Sequence, residues 1–355
     1  MTHLTPRNPK MSTTWPEASV LIPCYNGRHC IGKCLETLTR TNGPDFEVIV
    51  VDNASIDGSL EVVRAFPQVK VIANKKNQGF PHAINQAAKL ARGEFLIVLN
   101  QDTEVDPNWL VELTLELKQD RAVGVCGPKI VDATDRTRIQ QVGVLVDRFG
   151  FGVYLQNLKN GNEVFMVSGA AMAIKRSVFD SIGMFDPDYF LFEEDLDLCW
   201  RVNLAGFKVV VNPRSLVYHV GGSSMEGGFP ERGQFVSTEE RRYFSERNTL
   251  QTLLKNYQLK SIVRFVIPYV GMNVAEIGLF AVKGRLQGVT AYIKSLLYNL
   301  SNFRRIWEKH LEVERLRRIP DGKLSRLQTS RNLRIEAFMR WGIPSFRLAR
   351  RSRGE

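Results

Sequence analysis

The chain predicts an α/β fold, a sheet of parallel strands covered on both faces by helices, followed by a basic helical region. Three observations carry this. Continuous apolar runs of five to seven residues recur between amphipathic stretches over residues 19–126. Several of these runs end in Asn or Asp. Beyond Arg241 the pattern becomes helical and rich in Lys and Arg. A strand that is apolar throughout, rather than alternating, is buried on both faces, as strands under crossover helices are.

The elements follow in order. SVLIPCY is the first strand and ends at Asn26-Gly27, after which a helical pattern runs to Leu38. FEVIVVD is the second strand and ends at Asp52. Residues 59–66 suit a helix, VKVIAN (69–74) a third strand, residues 80–91 a helix, and EFLIVLNQD a fourth strand ending at Asp102. In open α/β sheets the ligand lies beyond the carboxyl ends of the strands. Asn26, Asp52, Asn53, Asn77 and Asp102 stand at those ends and are expected to converge on one crevice. Residues 123–222 are less regular. VGVCGPKIV and VGVLVD read as strands, EVFMVSGAAMAIKRSVF as a strand entering a helix, and GFKVVVN and SLVYHV as two more strands. Gly221-Gly222-Ser223-Ser224 and Gly227-Gly228 predict a mobile loop.

At 355 residues and 44% apolar content, the chain can build one large domain or two ordinary ones. Residues 1–17 lack an apolar h-region, so no secretory signal is expected and this segment reads as a flexible arm. Five scattered cysteines give neither a disulfide framework nor a zinc site, and buried thiols are expected. Charge is unevenly placed: residues 1–250 carry a net −3 and residues 251–355 a net +14. The basic third therefore points to an anionic surface. Within it, FVIPYVGMNVAEIGLFAV (265–282) has one charge, Glu276, and only just reaches spanning length, with Pro268, Gly271 and Gly278 interrupting it. YIKSLLYNLSNFRRIWEKHLEVERLRR mixes leucines and aromatics with bases, the composition of a helix lying in a membrane interface. Membrane association is the expectation, and a helical hairpin packed on the preceding domain is the alternative. Bases interleaved with leucines do not make a nucleic-acid stacking platform.

The chemistry is concentrated in FLFEEDLDLCW (190–200), where Glu193, Glu194, Asp195 and Asp197 sit among aromatics and leucines. Acids suit the first turn of a helix. If the apolar neighbours pack inward, at least one acid must face a pocket, where partial desolvation raises its pKa towards that of a working general base. The spacing leaves open which acid that is. Asp102 closes Asn100-Gln101-Asp102 at a strand end and could hold a divalent cation and, through it, a diphosphate. A turn or cap Asp is the alternative. Asp52 could meet a nucleotide's ring N–H or sugar hydroxyl, or simply close an Asx turn. His219 could complete a metal site or be structural.

Five ordered blocks carry a resemblance: ASVLIPCYN, VIVVDNASIDGS, NKKNQGFPHAINQAAKLARGEFLIVLNQD, SGAAMAIKRSVFDSIGMFD, and FLFEEDLDLCWRVNLAGFKVVVNP with YHVGGSS. Over residues 18–256 the chain resembles the family 2 inverting glycosyltransferases, and its rhamnosyltransferase-like subgroup of cell-surface polysaccharide enzymes. The resemblance implies the GT-A nucleotide-diphospho-sugar transferase fold, a Rossmann-like mixed sheet flanked by helices, with residues 257–355 as a basic, membrane-associated helical extension. It implies a UDP-, dTDP- or GDP-linked sugar donor, Mg2+ or Mn2+, a glycan or lipid-linked acceptor, and a cytoplasmic location on the inner face of the cell membrane. By resemblance, Pro23, Asn26 and Asp52 lie near the nucleobase and ribose. Asn77, Gly79 and Asn85 lie beside the donor, and Asp102 is the last acid of the DxD motif. Asp195 matches the catalytic base with Glu194 beside it, Arg201 a basic helper of the leaving diphosphate, and His219 a metal ligand. Ser168, Gly169, Ala170 and Asp186 match the acceptor side. The motif departs from the family in carrying Asn100 where its first Asp would stand.

Three rivals share parts of this pattern. A dinucleotide-dependent oxidoreductase would need GxGxxG after the first strand, where PCYNGRHC stands. A nucleotidyltransferase would need a basic glycine-rich loop there, and only Gly27-Arg28 is similar. A non-catalytic nucleotide-sugar-binding module would use the acids as caps only.

Overall fold

The computed structural model describes residues 15–158, 161–221, 229–231 and 234–347. The first half alternates as the apolar runs require: β1 Ala18–Cys24, α1 Ile31–Leu38, β2 Phe46–Asp52, α2 Ser59–Arg64, β3 Val69–Ala73, α3 Phe80–Leu90 and β4 Phe95–Leu99. Then come β5 Thr103–Val105, α4 Trp109–Gln119, β6 Val123–Asp132, β7 Ile139–Gln141, β8 Val144–Asp147, β9 Gly152–Tyr154, β10 Glu163–Val164 and β11 Ala171–Lys175. The sheet domain closes with α5 Arg176–Ser181, α6 Glu194–Leu204 and β12 Lys208–His219.

The main sheet runs in the order β10-β12-β6-β11-β4-β1-β2-β3. β1 pairs in parallel with β2 and β4, and β2 with β3, so Cys24 and Asp52 end side by side. β11 enters antiparallel between β4 and β6, which makes the sheet mixed. The residues of β1 and β4 are almost entirely buried, as their unbroken apolar runs predict. All five cysteines are buried and unpaired.

Two expectations are corrected. GFKVVVN and SLVYHV form one strand, β12, with a register shift between Asn212 and Leu216. Pro213 lies in that gap, and without an N–H it cannot continue the ladder. Helix α4 fills a stretch where the sequence raised no expectation. The C-terminal third is not helical to its end: short strands Gln328–Thr329 and Ser345–Arg347 pair with β8 and with Gln234–Thr238. The predicted mobile loop at 222–224 and 227–228, and most of the predicted arm, lie outside the described residues.

The helices after β12 include α7 Glu239–Asn256, α8 Leu259–Ser261, α9 Ile267–Val282, α10 Leu286–Ser301 and α11 Phe303–Leu316. They pack on the sheet domain through polar ties. The Arg318 N–H donates to the Leu204 carbonyl at 2.7 Å, the Leu333 N–H to Asp147 at 2.9 Å, and Lys309 pairs with Asp186. Residues 257–347 are thus not a detachable tail. One helix among the described residues, Leu259–Val282, is long and apolar enough to cross a membrane, with a mean hydropathy of 1.7 over its most apolar window and only 22% of that window buried.

Candidate active site

The carboxyl ends of the strands and the start of α6 line one cavity of about 320 Å3. Asn100, Asp102, Ser168, Gly169, Ala170, Glu193, Glu194, Asp195 and His219 all reach it. Asp102 and His219 come from the loop after β4 and the end of β12, which antiparallel pairing with β5 brings together. His219 Nε2 lies 3.3 Å from Asp102 Oδ1. His219 Nδ1 lies 3.1 Å from Gln140 Oε1, and the Gln140 amide donates to the His219 carbonyl at 2.8 Å. With its proton on Nδ1 and bound to Gln140, the ring directs the Nε2 lone pair to Asp102's side, the orientation a metal-ligating histidine needs. A carboxylate oxygen beside an imidazole nitrogen fits a divalent cation that takes its remaining ligands from diphosphate and water. Among the described residues no group of three or more His, Cys, Asp or Glu forms a cation cage.

The base candidate is resolved by geometry. The N–H of Gly169 donates to Asp195 Oδ2 at 2.9 Å, and that of Leu196 to Oδ1 at 2.8 Å. Burial raises the Asp195 carboxyl above its ordinary value, and these two donors limit the rise. Its neighbours are pushed further. Burial and the nearby Asp195 charge drive Glu194 well above the carboxylate range and Glu193 up to about 8. Glu194 Oε2 is buried with no hydrogen-bond partner, as a carboxyl kept protonated tolerates. Of the three, Asp195 is the one whose two carboxyl oxygens are each held by a backbone N–H at the cavity.

The approach to α6 is strained to achieve this. Phe190, Phe192 and Glu193 all have left-handed backbones, with φ of 62°, 69° and 65°. Such conformations cost of order 1–3 kcal/mol each and persist only where the surroundings fix them. Here Asn248 donates to the carbonyls of Tyr189, Leu191 and Phe192 at 2.8–2.9 Å, and the Phe80 N–H to that of Phe190 at 2.8 Å. Gly79 permits the last contact: a Cβ there would lie 2.5 Å from the Phe190 oxygen. Asn77 closes an Asx turn onto the Gly79 N–H at 2.9 Å.

The remaining residues separate into two groups. Pro23, Asn26 and Asp52 gather at the ends of β1 and β2. Asp52 is 2% exposed; its Oδ2 accepts the Ser55 N–H at 3.1 Å, while Oδ1 is buried without a partner. An orphaned buried carboxylate oxygen is a place for a ligand donor. Asn85, Asp186 and Arg201 lie outside the cavity lining. Asn85 bridges the Phe185 backbone at 2.7 and 3.1 Å. Arg201 forks onto Asp197 at 2.9 and 2.7 Å and donates to the Ile182 carbonyl. Asp186 is bound by Lys255 and Lys309. Burial would raise Asp197 and Asp186, but these cations outweigh it and hold both carboxyls low. The placements of Arg201 at the diphosphate and Asp186 at the acceptor are therefore corrected: both anchor α6 from behind.

Beside Glu193, one of the four acids already singled out, four contributors had no signal in the sequence. Gln101, inside NQD, faces away from the cation position and clamps the loop after β1, accepting the Tyr25 N–H at 2.9 Å and donating to its carbonyl at 3.1 Å. A Cβ on Gly27 would sit 2.2 Å from its Oε1. Gln140, Tyr154, Glu193 and Arg241 reach the site from separate segments, and only tertiary pairing collects them.

This mixed sheet, with its cleft at the strand ends and helices on both faces, is the GT-A fold. The mannosyltransferase PcManGT from Pyrobaculum calidifontis, solved in complex with GDP-Man and Mn2+, matches with a TM-score of 0.51 and 18% identity over 86% of this chain and 86% of that one. The S. aureus protein TarS 1-349, in complex with UDP-GlcNAc, matches with a TM-score of 0.53 and 18% identity over 79% and 81%. At such identities the likeness is one of fold. In sequence, residues 19–183 match the family model described as Glycosyl transferase family 2. The O-antigen biosynthesis protein RfbC of Myxococcus xanthus is 28% identical over 241 residues, 62% of this chain. The chain spans 26% and 19% of the length of the first curated relatives it matches.

Proposed function

We propose that the chain is an inverting glycosyltransferase that moves a sugar from a nucleotide-diphosphate donor to an acceptor hydroxyl. One observation supports this above the rest: Asp195, fixed by Gly169 and Leu196, shares a cavity with the Asp102–His219 pair. Asp52 Oδ1 accepts from the nucleoside. Asp102 and His219 would hold Mg2+ or Mn2+, which when bound offsets the charge of the leaving diphosphate. Asp195 takes the acceptor hydroxyl's proton on a carboxylate oxygen, each of which keeps a lone pair beyond its backbone bond. The oxygen then attacks the anomeric carbon from the face away from the diphosphate, and configuration inverts. The nucleotidyltransferase and simple binding-module readings leave Asp195, half-buried and held by two backbone N–H groups at the cavity, unused.

In this reading the acceptor is a glycan or lipid-linked sugar of cell-surface polysaccharide, and the chain works on the inner face of the cell membrane. The similarity to RfbC, an O-antigen biosynthesis protein, supports the first part. The exposed apolar stripe of Leu259, Val263, Ile267 and Val274, flanked by Lys260 and Arg264, supports the second.

The test is a panel of nucleotide sugars, rhamnose donors included, scored for released nucleoside diphosphate with Mg2+, with Mn2+ and with chelator. Metal-dependent release from one donor is expected, with the anomeric configuration of the product opposite to that of the donor. No release together with no nucleoside diphosphate binding by calorimetry would overturn the reading.

A further inference from the structure

The strand ends supply one wall of the cavity and the start of α6 its floor, but the remaining wall comes from elements with no assigned role. The hairpin of β8 and β9 brings Tyr154, and the first turns of α7 bring Arg241 and Ser245. Tyr154 is 60% exposed, yet its ring lines the cavity and its hydroxyl lies within electrostatic reach of Asp195, Arg241 and Glu193. Glu193 Oε1 accepts from the Ser245 hydroxyl at 3.1 Å. Arg241 stacks its guanidinium 4.4 Å above the Phe192 ring, and its N–H is received by Thr238 at the start of α7.

We propose that Tyr154, Glu193 and Arg241 form the subsite that holds the sugar ring of the acceptor. The proposal rests on the glycosyltransferase reading and adds where the acceptor binds and by what chemistry. A pyranose has an apolar C–H face and an equatorial rim of hydroxyls. A flat aromatic ring open to solvent receives the first, and a carboxyl and a planar guanidinium beside it receive the second. Both polar groups are positioned in advance, Glu193 by its fixed left-handed backbone and Ser245, Arg241 by Phe192, so little ordering cost remains when the sugar arrives. A ring on Tyr154 stands next to Asp195, so one of its hydroxyls meets the base while the nucleotide occupies the strand-end wall.

The experiment is saturation-transfer NMR on the full chain with methyl glycosides of glucose, galactose, mannose, rhamnose and N-acetylglucosamine, each recorded with and without UDP or GDP and Mg2+. At least one glycoside is expected to bind the wild type. Tyr154→Phe should keep that binding, Tyr154→Ala should weaken it by about five- to tenfold, and Glu193→Gln should weaken it without moving nucleotide affinity. The exposure of Tyr154 keeps the alanine variant folded, which its melting curve checks. Glycoside binding unchanged in Tyr154→Ala, or no glycoside binding to a wild type that binds nucleotide, overturns the subsite. A wild type that binds a glycoside but no nucleotide would instead overturn the transferase reading.

Discussion

The N–H of Gly169 donates to Oδ2 of Asp195 across 26 residues of sequence, and this bond ties the proposed base to the segment joining the cleft to β11. It keeps the carboxylate aimed into the cavity while burial raises its proton affinity. Asp195→Asn preserves both acceptor geometry and shape but cannot take a proton. General-base help is worth roughly 10²–10⁴-fold, so turnover should fall by about that factor. Nucleoside diphosphate affinity, measured by calorimetry, should stay level. Turnover within a fewfold of wild type would mean the base lies elsewhere.

Gln140 touches neither nucleotide nor sugar in this reading, yet it fixes the His219 ring at 3.1 Å. Groups that orient a ligating histidine typically contribute 10–100-fold in metal affinity. Gln140→Ala should therefore weaken Mn2+ binding in the presence of nucleoside diphosphate by about tenfold or more, with His219→Ala weaker still. Titration followed by the Mn2+ paramagnetic signal checks this. Equal affinity in all three proteins would remove His219 from the cation site.

How much of this the sequence disclosed depends on the range of the interaction. The apolar runs FLIVL and VLI mark buried strands because burial on both faces is a local composition signal, and the placement of Asp52 and Asp102 at one edge of the sheet follows from strand direction, although only Asp102 lines the cavity. The acid that faces the cavity was not readable, because α6 is preceded by three left-handed residues that no helical wheel anticipates. Arg201 and Asp186 misled for a related reason. The resemblance assigned both by their position in a motif, and only Lys255 and Lys309, 54 or more positions away, show that they are spent on a buried ion network. Gln140 and Tyr154 lie in short hairpins, the first with a register shift between Ile130 and Val131, and Gln140 meets His219 only through the fold, 79 positions on.

Glu193 gives the folded chain a pH signature. Its carboxyl is raised from 4.5 to about 8, chiefly by burial and then by the Asp195 charge. Between those values the folded state binds the proton and the unfolded state has lost it. Its contribution to stability is thus full below 4.5 and disappears as pH rises through about 8. Asp186 and Asp197 are held low and act in the other direction, losing their contribution as pH falls through and below the carboxylate range. Melting temperature should decline from pH 6 to pH 9 in the wild type, and Glu193→Gln should flatten that decline. An equally steep decline in the variant would assign the dependence to other groups.

The bilayer proposal calls for point changes, because truncation after Tyr257 would remove Lys309, Arg317 and Arg334, all tied into the sheet domain or α7. Val263 and Ile267 are 57% and 64% exposed on the helix Leu259–Val282, so their side chains contribute little to the core. Val263→Glu with Ile267→Glu should leave the melting temperature close to wild type and place two charges where acyl chains would lie. Each nearby Lys or Arg adds ~1 kcal/mol on an anionic surface, and this attraction fades with salt. Wild type should therefore float with liposomes containing anionic lipid, less with neutral ones, and less again at high salt, while the double variant stays in the soluble fraction. If the variant floats as well as wild type, this face of the helix does not meet the membrane.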